Sequence, residues 1–205
     1  INMKIALMNE FSQAGKNEIV LAQLQSVAND AGHEVFNVGM DGDNDHRLTY
    51  IHLGIMASLL LNAKAVDFVV SGCGTGQGAL ISLNAHPGVV CGYYLFAQIN
   101  NGNALALPFA KGFGWGAELN VKYIFEKAFS GDTGLGYPPE RRESQVTNAG
   151  ILNQIKSATT RPLLEGLKMI DKDLVKQAVG GERFQACFFE HCQDDELAAF
   201  VKSFV

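Results

Sequence analysis

The chain has 205 residues, of which 47% are hydrophobic and 18% are charged, and its formal net charge at pH 7 is −5. This length suits one domain with room for a C-terminal appendage and a substantial core. An acidic chain without a basic stripe argues against nucleic acid as a partner, and the longest apolar run, residues 55–61, is too short to cross a membrane.

Strands alternate with helices over roughly the first 130 residues. Short apolar runs rich in β-branched residues are typical of buried strands, whereas apolar residues at intervals of three and four predict helices. In chain order the predicted elements are strand 4–8, helix 20–31 with Gly32 placed to end it, strand 35–38, helix 49–62, strand 68–73, helix 79–83, strands 89–91 and 104–107, and helix 117–129. This alternation predicts a doubly wound, Rossmann-like α/β fold, with a parallel sheet covered on both faces.

The pattern changes after residue 131. Residues 137–142, which contain two prolines and end in Arg141 and Arg142, are predicted to be extended, and from 149 onward there are only helical patterns. We therefore predict a catalytic domain over 1–131, followed by a linker and a C-terminal helical extension over 132–205. Paired arginines suit an anionic group of a ligand, although a solvated linker explains them equally well.

Residues 68–83 are the stretch around which the chain is organised. An apolar strand runs into the sequence SGCGTGQG, in which four glycines occupy alternate positions, and helical spacing resumes at Ala79. Such a loop at a helix N-terminus leaves backbone N–H groups unpaired, and the helix dipole adds partial positive charge there. We therefore expect the backbone of Gly74, Gly76 and Gly78 to stabilise an anion, or an oxygen that becomes one.

Cys73 ends the predicted strand inside this loop. The loop amides and the dipole would favour its thiolate, which makes it a candidate base, and Thr75 adds a hydroxyl within reach. The alternative is that Cys73 is a small buried hydrophobic residue and that the glycines merely form a tight turn. The loop by itself favours neither interpretation.

Three known loop motifs do not fit this stretch. A phosphate-binding P-loop ends in Gly-Lys-Ser/Thr, but this loop ends in Gly-Ala-Leu. A dinucleotide-binding loop belongs on the first strand with an acidic residue about twenty positions further on. This loop follows the third predicted strand, and no acidic residue lies between Asp67 and Glu118. A nucleophile elbow requires glycines where the chain has Ser71 and Thr75.

Ligands of parallel α/β sheets bind beyond the carboxyl ends of the strands. Asn9, Glu10, Cys73 and Thr75 all fall at such ends, which favours a functional role for Cys73. Glu10 is a candidate second acid–base group, with a plain surface carboxylate as the alternative.

Two other groups of side chains have a structural explanation beside a functional one. Tyr50 and His52 could bind substrate hydroxyl groups, but such residues at a helix start more often pack or cap. Cys187 and Cys192, with His191 next to the latter, make half of a metal-ligand set, and packing is the favoured explanation. We therefore expect neither a metal nor another cofactor. Four cysteines at unrelated positions and the lack of a signal peptide favour a cytoplasmic location.

With GCGTGQG at 72–78, the chain resembles the family of ribose-5-phosphate isomerase B and galactose-6-phosphate isomerase over about residues 3–142. Further matches are KIA at 4–6, YIH at 50–52, PGV at 87–89, and the residues Asn100 and Asn103. The resemblance implies aldose–ketose isomerisation through an enediol, with Cys73 as the base that moves a proton between C1 and C2. It also implies a homodimer or tetramer in which each site draws residues from both subunits.

A closer resemblance is to the 4-deoxy-L-threo-5-hexosulose-uronate ketol-isomerases of this family. It rests on NE at 9–10, QIN at 98–100, KGFGWGAE at 111–118 and CQDDE at 192–196. The pentose-phosphate enzymes have a ring-opening histidine where this chain has Ile99, and an Asp-His pair where it has Asn9 and Glu10. A uronate-derived substrate carries a carboxylate instead of a phosphate and can be open-chain, so it needs no ring opening.

The sequence therefore predicts an aldose–ketose isomerase for an open-chain sugar acid, with Cys73, Thr75 and Glu10 as catalytic residues. Ribose 5-phosphate and galactose 6-phosphate are the alternative substrates. A sugar-binding relative without activity is the alternative from another class, suggested by Ile99 and the altered first loop. The candidate substrate-binding residues are Asn9, Tyr50, His52, Gly74, Gly76, Gly78, Asn100, Asn103, Arg141 and Arg142.

Overall fold

A parallel sheet forms the centre of the protein. The structure is a computed structural model that describes residues 2–42, 46–93, 102–110, 113–129 and 139–205. Within these residues the sheet has five strands, which are β1 (Lys4–Asn9), β2 (Glu34–Asn37), β3 (Phe68–Cys73), β4 (Cys91–Tyr93) and β5 (Ala104–Pro108). Their order is β2-β1-β3-β5-β4, and every pairing is parallel.

Helices cover both faces of this sheet, which confirms the predicted doubly wound α/β fold. The helices of the described residues are α1 (Asn17–Asp30), α2 (Tyr50–Asn62), α3 (Gln77–Asn84), α4 (Ala117–Ala128), α5 (Arg142–Thr159), α6 (Leu163–Met169), α7 (Lys172–Val179), α8 (Glu182–His191) and α9 (Asp195–Lys202). None of them is long and apolar enough to cross a membrane. As predicted, Gly32 follows the end of α1, where it adopts φ +75°.

Alternation along the strands creates two separate apolar layers. Ala6 and Met8 of β1 belong to a cluster with α2 and α3, whereas Ile5 and Leu7 belong to a second cluster with α1 and α4. The two sets of side chains point to opposite faces because successive residues of a strand alternate. The face on which a residue near a strand end lies can therefore be read from its position.

Strand β4 begins two residues later than the sequence predicts. The expected strand was 89–91, but pairing with β5 starts at Cys91, opposite Ala104. The N–H of Val90 donates instead to the side-chain oxygen of Asn103, at 2.8 Å. This bond closes the turn that contains Gly88, which adopts φ +73°. The pairing of β4 with β5 therefore starts only after this turn.

The C-terminal helices α6 to α9 pack onto the core of the sheet. Their buried apolar residues belong to the same cluster as α2 and α3, and they include Leu167, Val179, Phe184, Phe188, Leu197 and Val201. Helix α5 differs, because none of its 18 residues is buried. The predicted boundary at 131–132 falls within 130–138, which lies outside the described residues.

Candidate active site

Glu10 and Cys73 are neighbours at the carboxyl edge of the sheet. Asn9 at the end of β1 pairs with Gly72 of β3. Glu10 follows Asn9, and Cys73 follows Gly72, so the two residues come directly after this pair. The extended backbone of Glu10 (φ −103°, ψ 173°) continues the alternation of β1. Both side chains therefore belong to the face that carries Met8, on strands that run about 4.8 Å apart.

Cys73 lies at the end of its strand, under the glycine loop. Its side chain is 6% exposed, and its carbonyl accepts a hydrogen bond of 2.9 Å from the N–H of Phe109, which fixes the strand end against the residue after β5. Two other thiols of the chain, Cys91 and Cys187, are also buried. Burial raises the pKa of Cys91 and of Cys187 to about 12, so both stay protonated at neutral pH.

Glu10 is a buried carboxylate, so the alternative of a plain surface carboxylate is wrong. The residue is only 2% exposed. One carboxylate oxygen accepts from the N–H of Ser12 at 3.2 Å, and the other accepts from the hydroxyl of Ser12. These bonds make Glu10 the cap of the short 3-10 helix Phe11–Lys16 and hold its carboxylate at the end of β1.

The loop after Cys73 offers free backbone donors. Among the described residues, the N–H groups of Gly74, Thr75, Gly76 and Gly78 donate no hydrogen bond. The hydroxyl of Thr75 accepts from the N–H of Gln77 at 3.3 Å, which leaves its own proton available to a ligand. Helix α3 begins at Gln77, so its dipole adds positive charge to this group of donors.

Two tyrosines hold the glycine loop in shape. A Cβ on Gly76, which adopts φ +76°, would lie 2.7 Å from the ring of Tyr93 and 2.8 Å from the carbonyl carbon of Leu107. A Cβ on Gly78 would lie 3.1 Å from the ring of Tyr50. The hydroxyl of Tyr93 also donates to the carbonyl of Thr75 at 3.2 Å. The loop therefore requires glycine at position 76 and leaves little space for a side chain at position 78, where Tyr50 packs beside it.

Asn9 holds the segment that follows β1, residues 10–16, by a side-chain hydrogen bond. It is fully buried, and its side-chain N–H donates to the carbonyl of Gln13 at 3.1 Å. Gln13, which sequence reasoning did not select, lies next to the glycine loop, with its amide nitrogen 3.8 Å from where a Cβ of Gly74 would be. The ammonium of Lys16 holds Gln13 through a 2.8 Å bond and also donates to the carbonyl of Phe109.

His52 caps helix α2. Its Nδ1 accepts from the backbone N–H of Thr49 at 2.9 Å, as the third residue of a capping box. Burial, followed by the positive charge of His46, lowers the pKa of His52, which keeps Nδ1 available as an acceptor. The observed contact of His52 is therefore a helix cap, which is the structural explanation offered for this residue from the sequence.

Some of the predicted binding residues are not brought to this edge. Asn103 stands before β5, five residues from the Pro108 that pairs with Cys73, or roughly 16 Å away at about 3.3 Å per residue. Its amide instead bridges the turn before β4, where it accepts from Val90 and donates to the carbonyl of Gly88. Asn100 and Ile99 lie outside the described residues.

Within one chain, none of the described contacts joins either arginine to Cys73. Arg141 and Arg142 are exposed at the start of α5. The far end of this helix is anchored by Lys156, whose ammonium donates to the carbonyl of Val89 at the amino edge of the sheet. Arg142 precedes Lys156 by 14 residues, or roughly 21 Å of helix at about 1.5 Å per residue.

A large groove lies away from Cys73. It has a volume of about 640 Å³ and runs between α2, α3 and the C-terminal helices. Its walls are mostly apolar and include Ile51, Ile55, Ile81, Leu163, Leu167 and Leu174. It reaches Tyr50 but contains neither Cys73 nor Glu10, so we do not regard it as the catalytic site.

The cysteines that suggested half of a metal site have other contacts. Cys187 is buried in the core, the thiol of Cys192 donates to the carbonyl of Asp194 at 3.2 Å, and the ring of His191 packs edge-on against Phe36. Among the described residues no group of three potential metal ligands occurs.

Fold and site together define an α/β protein with a thiol, a carboxylate and unpaired amides at one sheet edge, which is the equipment of an acid–base catalyst of proton transfer. Comparison with known proteins identifies the family. A family model described as ribose/galactose isomerase matches residues 5–111, and one described as ribose-5-phosphate isomerase matches residues 158–204. The chain belongs to the ribose/galactose isomerase family and is an aldose–ketose isomerase, as the sequence predicted.

Solved structures agree with this assignment. A ribose-5-phosphate isomerase from Vibrio parahaemolyticus is 64% identical over 100% of both chains, with a TM-score of 0.97. A 4-deoxy-L-threo-5-hexosulose-uronate ketol-isomerase, solved in complex with a tartrate, is 51% identical over 98% of this chain and 99% of its own, with a TM-score of 0.96. The type B ribose 5-phosphate isomerase of Leishmania infantum shares the fold at 16% identity, covering 78% of this chain and 100% of its own, with a TM-score of 0.62. No curated protein matches the chain.

Proposed function

We propose that this isomerase interconverts the aldehyde and ketone forms of an open-chain sugar acid derived from a uronate, with Cys73 as the base at carbon. The observation that supports the proposal is the strand register, in which Cys73 and Glu10 directly follow the paired residues Gly72 and Asn9. The loop after Cys73 adds N–H groups that donate no hydrogen bond among the described residues. A 1,2-proton shift needs one group that exchanges a proton with carbon and one that exchanges a proton with oxygen. The two residues supply both.

The proposed reaction is a pair of proton transfers. The thiolate of Cys73 removes the proton from C2, a C1–C2 double bond forms, and the electrons of the aldehyde move onto O1. Glu10 takes the proton from O2 and delivers a proton to O1, while the thiol returns its proton to C1. The product is the ketone, and no electron leaves the substrate.

The loop after Cys73 would stabilise the enediolate. Its charge develops on oxygen, where the unpaired N–H groups of Gly74 and Gly76 and the hydroxyl of Thr75 are available as donors. Donors that are fixed before the reaction need no rearrangement when the charge appears. The rigidity that Tyr93 gives to this loop is therefore part of the proposed mechanism.

An open-chain sugar acid is preferred as substrate because the residue at the ring-opening position of the family is not a histidine in this sequence. The sequence has Ile99 where pentose-phosphate enzymes have a histidine, and His52 is engaged as a cap. The relative at 51% identity is named for a uronate ketol, and tartrate, which was bound to it, is also a hydroxylated carboxylic acid. Ribose 5-phosphate is the second candidate, because the relative at 64% identity is named for it.

Turnover of the two substrates separates these candidates. We expect kcat/KM for 4-deoxy-L-threo-5-hexosulose uronate to exceed that for ribose 5-phosphate, with deuterium entering the product from D2O. A higher kcat/KM for ribose 5-phosphate would reverse the substrate assignment. Calorimetric binding of either sugar without deuterium entry would instead support the sugar-binding alternative without activity.

We also propose that the enzyme is a homodimer with shared sites. Helix α5 has no buried residue and exposes an apolar stripe that consists of Ile151, Leu152 and Ile155. The apolar groove between α2, α3 and the C-terminal helices is a second surface of the same kind. A second copy that covers these surfaces would remove both from water. It would also allow Arg141 and Arg142 of one subunit to reach the substrate at the Cys73 of the other.

Light scattering and complementation test the dimer. We expect Leu152→Glu to yield monomers, whereas Gln154→Glu, an exposed change on the same helix, leaves dimers intact. Mixing inactive Cys73→Ala protein with inactive Arg141→Ala/Arg142→Ala protein should restore part of the activity. Full activity of a monomeric Leu152→Glu variant would contradict shared sites.

We place the enzyme in the cytoplasm, because all four cysteines are free thiols.

A further inference from the structure

We propose that the C-terminal extension positions Glu10, and that Arg183 of α8 is the residue through which it does so. The inference rests on the proposed role of Glu10 as the acid–base group at oxygen. The connection between them is the segment between β2 and α2, of which residues 38–42 and 46–49 are described. This segment contacts Glu10's neighbours on one side and the extension on the other.

The β2–α2 segment holds the backbone on both sides of Glu10. The N–H of Met40 donates to the carbonyl of Asn9 at 2.9 Å, and the N–H of Phe11 donates to the carbonyl of Leu48 at 2.9 Å. Glu10 therefore stands between two residues whose main chains are bound to the same segment. A shift of that segment would move the carboxylate relative to the thiol of Cys73.

The contact between this segment and β1 leaves no room for adjustment. A Cβ on Gly39 would lie 2.7 Å from Cα of Met8 and 2.8 Å from the carbonyl oxygen of Asn9. Only a residue without a side chain allows the two backbones to approach so closely. The packing is therefore backbone against backbone, and it transmits displacement directly.

The extension holds the same segment near both of its ends. One guanidinium nitrogen of Arg183 donates to the carbonyl of Gly39 at 2.6 Å, and another pairs with the carboxylate of Asp41 at 2.9 Å. At the other end, the amide of Gln177 donates to the carbonyl of Arg47 at 2.5 Å. Nε2 of His46 donates a hydrogen bond to the carbonyl of Gln177.

The extension is itself a firm support. Phe184 and Phe188 of α8 are fully buried, and their rings stack on each other with centroids 5.5 Å apart. These two residues anchor the helix that carries Arg183 in the core. The N–H of Gln193 donates to the carbonyl of Ala63 just after α2, at 2.8 Å. Arg183 thus extends from a fixed helix to the segment that brackets Glu10.

Geometry, rather than binding energy, is what Arg183 contributes. Its ion pair with Asp41 is partly exposed, with side chains 39% and 49% accessible, and such pairs add little stability. Its planar fork nevertheless joins a carbonyl and a carboxylate at once, which a lysine ammonium does not reproduce. A displacement of about 1 Å at a reacting group costs up to about 100-fold in rate.

Kinetics of Arg183 variants test the proposal. We expect Arg183→Met to lower kcat by roughly 10- to 100-fold while KM changes by less than about threefold, and Arg183→Lys to recover only part of the loss. Lys202→Met, which removes one exposed cation from α9, should behave as the wild type. Asp41→Asn weakens the same contact from the other side and should also lower kcat, which keeps the test decisive if Arg183→Met does not fold.

Coupling to Glu10 distinguishes positioning from general damage. In a Glu10→Gln background, Arg183→Met should lower kcat by less than about twofold, because a residue that acts through Glu10 has nothing left to position. Multiplicative losses in the double variant, or an unchanged kcat in the Arg183→Met single variant, would overturn the inference. If wild-type enzyme turned over neither sugar, the proposed function would fail first, and the two failures are thereby distinguishable.

Discussion

Glu10 and Cys73 follow directly on Asn9 and Gly72, which pair across the adjacent strands β1 and β3. A carboxylate and a thiol are thereby fixed on one face of the sheet edge by the register of two buried strands. Register is strongly determined here, because slipping either strand by one residue would turn its apolar residues to the wrong face. The relative placement of the two groups is thus a property of the core of the protein.

Replacing Glu10 by Gln should lower kcat by about 100-fold or more, with little change in KM, because the substitution keeps the shape but removes proton transfer at oxygen. Steady-state kinetics measure this effect. Glu18→Gln, at an exposed position in the first turn of α1, is the matched control and should have no effect. Equal losses in both variants would show that net charge, rather than Glu10, matters.

Gly76→Ala should damage the glycine loop. A Cβ at this left-handed residue would contact the ring of Tyr93 and the backbone of Leu107, so we expect about 1–3 kcal/mol less stability, together with a large loss of kcat. Urea unfolding and kinetics measure the two effects. Gly150→Ala in α5 has nothing within 4 Å of its added Cβ and should be neutral or slightly stabilising. A Gly76→Ala enzyme with normal stability and rate would contradict the described loop.

Stability should fall as the pH is lowered through the titration of the histidines. Burial lowers the pKa of His52, and desolvation likewise lowers the pKa of His33 and His86. Below an unfolded pKa of about 6.5, the unfolded chain therefore binds more protons than the folded one, so the free energy of unfolding decreases with falling pH. Urea titrations between about pH 8 and pH 5 measure this dependence.

His52→Gln should weaken that pH dependence. Glutamine at the third position of a capping box still accepts from the N–H of Thr49, but it does not titrate. We expect the variant to retain most of its stability at pH 8 and to lose less of it at pH 5 than the wild type. An unchanged pH dependence would mean that the cap is not the titrating contact, and a large fall in kcat at pH 8 would return His52 to the substrate site.

The local chemistry of the site could be predicted from sequence because it is encoded in adjacent residues. Alternate glycines around Cys73 at a strand end are sufficient to predict a turn, a helix start and free amides. Asn9 and Glu10 could be assigned to the same edge because both follow a strand. Asn103 was selected from the family resemblance alone, and because it precedes β5 its amide contacts Val90 and Gly88 within one chain.

Contacts between distant parts of the chain could not be predicted in this way. No local pattern indicates that Tyr93 bonds the carbonyl of Thr75, or that Gln13 lies beside Gly74. The hydrogen bond from Arg183 to the carbonyl of Gly39 joins residues more than a hundred positions apart in sequence. Such contacts follow from packing in three dimensions, and the sequence constrains that packing only collectively.

Solvent deuterium exchange tests the central claim most directly. In D2O the wild-type enzyme and a Cys91→Ala variant, which loses a different buried thiol, should both place deuterium at C1 of the product ketose, whereas Cys73→Ala should fold normally and incorporate none. Deuterium incorporation by Cys73→Ala at the wild-type rate would contradict the assignment of Cys73 as the base.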